Sequence, residues 1–391
     1  MRKTLFLIFV FSCSSPSENL MIYENETIEL DFDSVSEIGD KVELSDLIKI
    51  KTVTKLNDES KFFITDIKKV ERWIDYILIL EKNKKVLVCF DSQGSFISTV
   101  GSKGEGPGQY IEVTDFTVDT NNKLIYIYSR SNRSIYVFDE LLNFEKLIST
   151  NIFASYINLI DDGKIAFYMD MNHKRDDEFN IQVLDPKSGK VVGKKMKFPK
   201  EGEYFPFAYS GFLKNGLYSY PLSSEIYKIG SLDAPDSLFY IVNLENGLPK
   251  EKIFDHVGYL KIDFKEQKNI LRDFSINEKD DKGFFSYNFD KSNKKFVSTA
   301  VRLKSGQLFN HDNLKSGIQG SWFSSLFFRP GVVPSFSRMN SLFYSWSYNE
   351  SLKSIKIDQS INLGDLNDLK YLEPEDNPIL IEFDLVDSYE K

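Results

Sequence analysis

Residues Val86–Asp119 read VLVCFDSQGSFISTVGSKGEGPGQYIEVTDFTVD, and this stretch decides the fold class. An apolar strand ends in Asp91, a polar turn follows at Ser92–Gly94, and a second strand covers Ser95–Val100. A glycine-rich loop, Gly101–Tyr110, then leads into another strand with alternating apolar residues. Short β-branched and aromatic runs bounded by turn residues are typical of antiparallel strands. The stretch therefore predicts sheet structure built from hairpins.

The strand that ends in aspartate recurs along the chain at nearly regular spacing. The copies are Val88–Asp91, Tyr136–Asp139, Gln182–Asp185, a degenerate copy at Ile226–Gly230, Tyr287–Asp290 and Ile381–Asp384. The first three aspartates lie 48 and 46 residues apart, and the last two gaps widen to 60 and 94. Four short strands in each unit of 40–50 residues are typical of propeller blades, and no helical period is sustained across the units. The sequence predicts an all-β, six-bladed β-propeller of four-stranded antiparallel blades, with seven blades as the alternative because the last gap is wide.

Composition sets limits on the partners of the chain. The 391 residues are 41% hydrophobic, with 33 Phe and 20 Tyr, which is enough for a large core and suits half-buried strands. The formal net charge is −9, and acidic and basic residues are interspersed. Phosphate backbones are bound by clustered Lys and Arg, and the sequence has no such basic run. We therefore expect no nucleic-acid partner.

The N-terminus has the features of a secretory leader. Met1–Cys13 reads MRKTLFLIFVFSC, in which two basic residues precede the apolar run Leu5–Phe11 and a cysteine. The apolar run is too short to span a bilayer, which takes about 20 residues. The segment resembles a bacterial lipoprotein signal, in which the cysteine is acylated and becomes the first mature residue. The alternative is a buried N-terminal strand or helix.

The resemblance implies three regions in the chain. Residues 1–12 are the lipoprotein signal peptide, residues 13–40 are a lipidated tether, and residues 41–391 form a single β-propeller domain. Lipid attachment at Cys13 makes the membrane a partner, since each buried CH₂ of an acyl chain contributes about 0.8 kcal/mol. Cys89 is then the one remaining cysteine, so no intrachain disulfide forms. Its apolar surroundings predict a small core residue.

A family resemblance rests on the strand that ends in Asp91 and on the loop Gly104–Tyr110, which reads GEGPGQY. With the opening segment Val42–Lys49 and the closing segment Asp376–Leu380, it resembles the six-bladed β-propeller lipoproteins of Bacteroidetes. That family is similar to the NHL-repeat propellers. The resemblance covers roughly Lys41 to Leu385 and implies a lipid-anchored location in the bacterial cell envelope, at the outer membrane, with periplasmic or surface facing left open.

Two local predictions follow for the ring of blades. An N-terminal strand often completes the last blade of a propeller, which removes unpaired edges, so we expect Val42–Thr54 to pair beside Pro378–Leu385. The spacing of Gly104, Gly106 and Gly108 predicts a tight turn between blades with positive φ. A phosphate-binding loop is the weaker interpretation, because a strand rather than a helix follows these glycines.

No motif in the sequence marks a catalytic or metal site. His173, His256 and His311 are scattered, and no nucleophile elbow is present. The acidic pairs and triplets do not have the spacing of a calcium loop and read as solvated turns. These are Asp31–Asp33, Asp161–Gly163, Asp176–Glu178 and Asp280–Asp281. We expect no catalytic residues, no metal ligands and no cofactor, although calcium held by several blades in the central channel stays open.

Two aromatic segments are candidates for ligand contacts. Ser321–Tyr348 contains nine aromatic residues, and Phe205–Tyr209 reads FPFAY. Such rings can stack on sugars or line a peptide groove, but packing between blades is the more common use of aromatic area. We interpret both segments as core, with loop positions near Arg329–Gly331 left as an exposed feature.

The function is the property that the sequence determines least. The leading hypothesis is a non-catalytic binding or scaffolding module of the envelope, with a protein, peptide or glycan as its ligand. The alternative is a hydrolase or lyase that uses a divalent metal in the channel, because propellers support many unrelated activities. An enzyme of that kind needs three or more Asp, Glu, Asn or His side chains from different blades at the channel. A binding module would instead have a wide mouth lined with aromatic side chains.

Overall fold

The computed structural model describes residues 27–32, 42, 44–57, 62–160, 162–169, 179–197, 213–214, 216–219, 223–232, 235–244, 271–277, 280–291, 294–310, 335–336, 342–346 and 376–390. This part of the chain is almost entirely sheet, with one 3₁₀ turn at Leu44–Leu47. The strands are β1 (Ile28–Asp31), β2 (Ile48–Lys55), β3 (Ile67–Trp73), β4 (Tyr76–Glu81), β5 (Val86–Asp91), β6 (Phe96–Thr99), β7 (Ser102–Lys103), β8 (Gln109–Tyr110), β9 (Asp115–Asp119), β10 (Leu124–Ser129), β11 (Ser134–Phe138), β12 (Phe144–Ser149), β13 (Tyr156–Leu159), β14 (Ile165–Tyr168), β15 (Phe179–Asp185), β16 (Lys190–Lys197), β17 (Leu213–Lys214), β18 (Leu217–Ser219), β19 (Glu225–Lys228), β20 (Ser237–Asn243), β21 (Leu271–Asn277), β22 (Lys282–Lys291), β23 (Lys294–Arg302), β24 (Leu308–Phe309), β25 (Ser335–Phe336), β26 (Leu342–Trp346) and β27 (Ile379–Leu385).

These strands form six small antiparallel sheets arranged as a six-bladed β-propeller, which confirms the predicted fold class. Blade 1 is β3–β6, blade 2 is β9–β12, blade 3 is β13–β16, blade 4 is β17–β20, blade 5 is β21–β24, and blade 6 is β25–β27 with β2. In each blade the strand order along the sheet is the order along the chain, apart from β2 at the edge of blade 6. Within the described residues no seventh four-stranded sheet is present.

The repeated motif marks the third strand of most blades. Val88–Asp91 lies in β5, Gln182–Asp185 in β15 and Ile381–Asp384 in β27, each the third strand of its blade. The copy at Tyr287–Asp290 does not follow this rule, because it lies in β22, the second strand of blade 5. That alignment was wrong by one strand, which is one reason why the last two gaps differ from the first two.

Hydrophobic clusters fill the spaces between successive blades. The third strand of blade 1, β5, is an almost continuous apolar run, because both faces of the blade are covered by neighbours. The cluster around Trp73 and Phe116 joins blades 1 and 2, and Leu380 of blade 6 packs into the same cluster. Cys89 is completely buried there, and burial, with the nearby Asp91 carboxylate, raises its thiol pKa to about 12. It is a small core residue, as predicted.

The ring is closed by an N-terminal strand. β2 pairs antiparallel with β27, in the register Ile48 to Leu385 and Lys55 to Ile379, and β27 also pairs with β26. The expected pairing of the two ends of the chain is therefore confirmed. The strand begins at Ile48 rather than at Val42, because Leu44–Leu47 forms the 3₁₀ turn.

Polar contacts fasten blade 6 to blade 1. The Asn377 side chain accepts a hydrogen bond from the Ile64 backbone N–H at 2.7 Å and donates to the Phe62 carbonyl at 3.1 Å. The Arg72 guanidinium of β3 contacts the Glu382 carboxylate of β27 through Nε at 2.9 Å and through a terminal nitrogen at 2.8 Å. Both nitrogens contact the same carboxylate oxygen, Oε2, so this seam is joined by two charge-assisted contacts to one oxygen.

Other seams between blades also contain charged groups. Lys195 of β16 contacts Asp236 at 2.6 Å, and the Tyr218 hydroxyl of blade 4 donates to the same carboxylate at 2.7 Å. Asp281, in the turn of blade 5, accepts hydrogen bonds from Arg302 and from the Tyr240 hydroxyl of blade 4. The prediction that Asp281 belongs to a merely solvated turn was wrong, because its carboxylate joins two blades.

The N-terminal segment contributes an additional strand. β1 pairs parallel with β20 at the edge of blade 4, and Leu30 and Phe32 are buried. The Phe32 ring lies 5.0 Å from that of Tyr287 in blade 5. The packed domain therefore includes residues that the sequence placed in the tether, because Leu30 and Phe32 supply apolar side chains to the space between blades 4 and 5.

The glycine-rich loop is the tight connection between blades 1 and 2. Gly104 and Gly108 have positive φ, and Gly106 donates its N–H to the Gln109 side chain at 2.8 Å. The buried Tyr110 hydroxyl donates to the Val100 carbonyl at 3.0 Å. The prediction of positive φ is confirmed for Gly104 and Gly108. Gly106 does not have positive φ, and its backbone is held by the hydrogen bond to the Gln109 side chain.

The leader and the attachment cysteine Cys13 lie outside the described residues, so the signal peptide and the lipid remain predictions. In the parts of the chain that the structure describes, no helix has the length and apolar character needed to cross a membrane.

Closure by β27 predicts the outcome of a truncation. Removing residues 378–391 deletes the strand that joins β2 to β26, so the ring opens within blade 6. We expect loss of the cooperative unfolding transition in denaturant, followed by circular dichroism. The matched control removes only residues 389–391, of which Tyr389 contacts Gln307, and should unfold cooperatively. A chain without residues 378–391 that unfolds like its parent would contradict the closure.

Gly108 and Gly163 provide a matched pair of substitutions. Both have positive φ, but an added Cβ at Gly108 would lie 2.9 Å from Phe144 Cβ, whereas at Gly163 it would meet nothing within 4 Å. Gly163→Ala should cost about 1–2 kcal/mol of unfolding free energy, from backbone strain alone. Gly108→Ala should cost about 1–3 kcal/mol more, from overpacking. Equal losses of unfolding free energy in urea would show that the Phe144 side chain moves aside without an energetic cost.

Candidate functional site

The inner strands of blades 1 to 3 run side by side around the channel. The Asp115 carboxylate of β9 accepts a hydrogen bond from the Ile157 N–H of β13 at 2.8 Å. The Thr117 hydroxyl accepts one from the Leu159 N–H at 3.1 Å. Both contacts join residues 42 positions apart, so the two strands run in the same direction and in matched register. Polar side chains of one blade thus satisfy backbone groups of the next, at a place where an unpaired N–H would be costly.

Blade 1 continues this arrangement. Lys69 of β3 lies 3.4 Å from the Asp115 carboxylate and donates to the Phe116 carbonyl at 2.6 Å. Its ammonium is also 5.0 Å from the centre of the Phe116 ring. Asp115 therefore serves two partners, the Lys69 charge and the Ile157 backbone, and it links three blades while only 3% of it is exposed.

A set of buried polar side chains, which we call the buried polar layer, lies one or two residues before the last residue of four inner strands. It consists of Glu71, Thr117, Asn158 and Ser275, from blades 1, 2, 3 and 5. The Asn158 side-chain nitrogen has no hydrogen-bond partner within the described residues. The layer holds one carboxylate, one amide and two hydroxyls. Among the residues that the structure describes, no group of three His, Cys, Asp or Glu side chains is placed to hold a metal ion.

The opposite end of these strands forms a cationic and aromatic surface, which we call the rim. It consists of Lys68, Thr114, Arg130, Phe153, Ser155 and Tyr156. Lys68 Nζ donates to the Thr114 carbonyl at 2.6 Å and lies 5.2 Å from the centre of the Tyr156 ring. The rim therefore draws side chains from blade 1, from blade 2 and from the segment that enters blade 3.

Arg130 is the second cation of the rim. Its backbone N–H donates to the Thr114 hydroxyl at 2.9 Å, and its guanidinium lies 4.9 Å from the centre of the Phe153 ring. A terminal guanidinium nitrogen donates to the Ser155 hydroxyl at 3.4 Å. Cation–π stacking and these hydrogen bonds fix the orientation of a side chain that would otherwise sample many rotamers.

A neighbouring ion pair separates the rim from the outer part of blade 1. Lys85 lies 2.5 Å from the Glu112 carboxylate, and the Ser131 hydroxyl donates to the other oxygen at 2.8 Å. Burial alone would raise the pKa of Glu112, but the hydrogen bonds from Lys85 and Ser131 outweigh it, so the pKa is lowered. Glu112 is therefore ionised at neutral pH and compensates the positive charge of Lys85.

Few of the residues considered from sequence fall in this region. The three histidines, Phe205–Tyr209 and Trp322 lie outside the described residues, as does Asp176–Glu178. Residues 342–346 of the aromatic segment form β26, the second strand of blade 6. Asp280 contacts Lys304 at 3.1 Å and Asp281 contacts Arg302, so both members of that acidic pair are paired with cations.

The rim and the buried polar layer were missed by sequence reasoning. Each strand contributes one or two polar residues, and the contacts between them join residues at least 16 positions apart, so no local motif marks them. The signal that was available is the alignment of repeats. Lys68, Thr114 and Tyr156 lie at or near the start of successive inner strands, 46 and 42 residues apart. Reading polar residues at that position of each repeat would have predicted the rim.

Comparison with known proteins assigns the chain to a family. The family model described as a domain of unknown function, DUF4934, matches residues 27–384. The chain belongs to the DUF4934 family. The match begins one residue before β1 and ends within β27, so it covers the whole ring and the N-terminal strand of blade 4. No curated protein matches the chain.

Two solved structures resemble the DUF4934 chain. A Bacteroides fragilis protein described as exported is 16% identical, with a TM-score of 0.67, over 92% of this chain and 99% of that one. A member of the DUF4221 family from Bacteroides vulgatus is 8% identical, with a TM-score of 0.51, over 87% of this chain and 98% of that one. At these identities the likeness concerns the fold.

The double role of Asp115 gives a prediction for stability. Asp115→Ala leaves the Ile157 N–H without its acceptor and Lys69 without its carboxylate, and it should cost about 2–4 kcal/mol of unfolding free energy. Asp115→Asn retains an acceptor oxygen and should cost less than half of that. Urea unfolding of both variants measures the difference. Equal losses would contradict the role of the hydrogen bond between blades.

Proposed function

We propose that this protein is an exported, lipid-anchored propeller that binds a ligand at the rim without catalysing a reaction. The observation that carries the proposal is the convergence of Lys68, Arg130 and Tyr156 from three blades at one end of the inner strands. Charged and aromatic groups fixed by contacts within the protein are the ordinary elements of a recognition surface.

The envelope location rests on two supports. The leader Met1–Cys13 has the order of a lipoprotein signal, and the similar protein of Bacteroides fragilis is described as exported. β1 lies 15 residues after Cys13, and an extended segment of that length reaches about 50 Å. An anchor at Cys13 would therefore hold the ring close to the membrane, attached through the edge of blade 4.

The anchor predicts a specific modification. We expect bacteria that express the full chain with its own leader to incorporate radiolabelled palmitate into it and to recover it in the membrane fraction. Cys13→Ser should abolish both the label and the membrane recovery, and Cys89→Ser should leave the label unchanged. Label retained in Cys13→Ser would contradict attachment at this residue.

The non-catalytic assignment predicts how the protein responds to a chelator. Asp115 and Thr117 of an inner strand use their side-chain oxygens to accept hydrogen bonds from the next blade. We expect the purified protein to contain far less than one calcium or zinc per chain by elemental analysis, and its melting temperature to stay unchanged in EDTA. About one metal per chain, with a large fall in melting temperature on chelation, would favour the metal-dependent hydrolase or lyase instead.

A further inference from the structure

The N-terminal strand β1 lies in a groove that the ring itself forms. One side of the groove is the edge of β20, and β1 adds to this edge in parallel register, from Ile28 opposite Tyr240 to Asp31 opposite Asn243. The base of the groove is the apolar cluster between blades 4 and 5. Among the sheets that the structure describes, that of blade 4 is the one with a fifth strand.

Alternate side chains of β1 and of the residue after it fill the groove. Leu30 is 1% exposed and Phe32 is completely buried, whereas the intervening Glu29 and Asp31 are exposed. The Phe32 ring packs 5.0 Å from the ring of Tyr287 in blade 5. The groove therefore fits an extended segment that has a large apolar side chain at every second position, which is how sheets recognise an added strand.

Main-chain contacts hold the end of this segment to both blades. The Phe32 N–H donates to the Asn243 carbonyl of blade 4 at 3.2 Å. The buried side chain of Asn310, which follows β24 of blade 5, donates to the Phe32 carbonyl. Both contacts use the backbone of the segment, so they do not depend on which chain supplies it.

The ring is closed without β1. Closure comes from the pairing of β2 with β27, and β20 is held in blade 4 by its pairing with β19. β1 has four residues, pairs along one edge within the described strands, and is parallel, which is the slightly weaker form of pairing. Release of β1 therefore does not open the ring, and local opening of such an element costs less than global unfolding.

We propose that the groove between blades 4 and 5 is a strand-acceptor site for β1 of a second copy of this chain, so that two copies exchange β1 and form a dimer. Each copy carries both the groove and the segment, so Leu30 and Phe32 make the same contacts after exchange as before it. Exchange of an identical element is a low-cost route to a dimer, and reciprocal exchange fills both grooves and closes the assembly at two copies.

A split cysteine pair tests whether β1 crosses between copies. Glu29 lies opposite Ile241 in the register, and neighbouring strands are about 4.8 Å apart, which is within the range of a disulfide. One population of the full chain carries Glu29→Cys and the other carries Ile241→Cys. Both also carry Cys13→Ser, whereas Cys89 is retained because it is buried and its thiol pKa is raised to about 12.

The two populations are mixed at high concentration, warmed to just below the melting temperature, cooled and oxidised. We expect a disulfide-linked dimer with one chain from each population on a non-reducing gel. The reference is a chain that carries both substitutions, in which a disulfide within one chain confirms that β1 lies on β20.

Control variants assign the linkage to the groove. Leu30→Ala with Phe32→Ala, added to the chain that carries Glu29→Cys, should lower the yield of linked dimer at least about fivefold, because the side chains that fill the groove are removed. The matched control replaces Glu29→Cys by Glu145→Cys, which changes an exposed glutamate on the outer strand of blade 2. With the Ile241→Cys chain it should give at most about a tenth of the yield.

The melting temperature of each variant shows that the ring stays folded. A disulfide within the doubly substituted chain, together with no linked dimer in the mixture, would overturn the exchange and leave β1 as a strand of its own chain. Equal yields with Glu29→Cys and Glu145→Cys would overturn it as well, because they would indicate random collision. The measurement involves neither the rim nor the lipid, so its failure is distinguishable from failure of the proposed function.

Discussion

The pairing of β2 with β27 is the constraint on which the rest of the structure depends. It joins residues 48–55 to residues 379–385 and so makes a ring from sheets that would otherwise end in open edges. Each hydrophobic cluster is shared by neighbouring blades, as Leu380 of blade 6 is shared with blade 1. A blade therefore has no complete core of its own, and the ring gains its stability from the contacts between blades.

The rim is a consequence of this closed arrangement. Its residues come from three blades and are held by hydrogen bonds and ring contacts. Asp115 shows how binding and stability are coupled, since one buried carboxylate holds Lys69 of blade 1 and the Ile157 N–H of blade 3. A shift of either neighbouring blade would move Lys68 relative to Arg130. Rigidity of the blades is thus what orients the cations.

Much of the fold could be predicted from sequence because the signals are local. The strand that ends in Asp91 and its copies indicate blades, and turn residues such as Gly108 mark where one blade leads to the next. β1 was missed because it has four residues and pairs with β20, about 210 positions away. The copy at Tyr287–Asp290 was assigned to the third strand, although it lies in the second. The strands of blade 5 resemble one another, so a short motif does not determine which strand carries it.

The rim could not be predicted in the same way. Lys68 and Arg130 are ordinary polar residues in their local sequence, and their meaning comes from the Thr114 and Ser155 contacts that only the folded ring provides. The buried layer that includes Asn158 depends equally on register between strands. Sequence periodicity places residues on a face of a strand, but it does not show which faces of different blades meet.

Native-state hydrogen exchange read by mass spectrometry tests the closure most directly. If the ring opens only when the whole domain unfolds, the amides of β2 and β27 have the same free energy of opening as those of β10 and β11 in blade 2. The account predicts this equality across a series of low denaturant concentrations. A clearly lower free energy of opening for β2 and β27 would show that blade 6 separates from the N-terminal strand on its own, and would contradict the central role of closure.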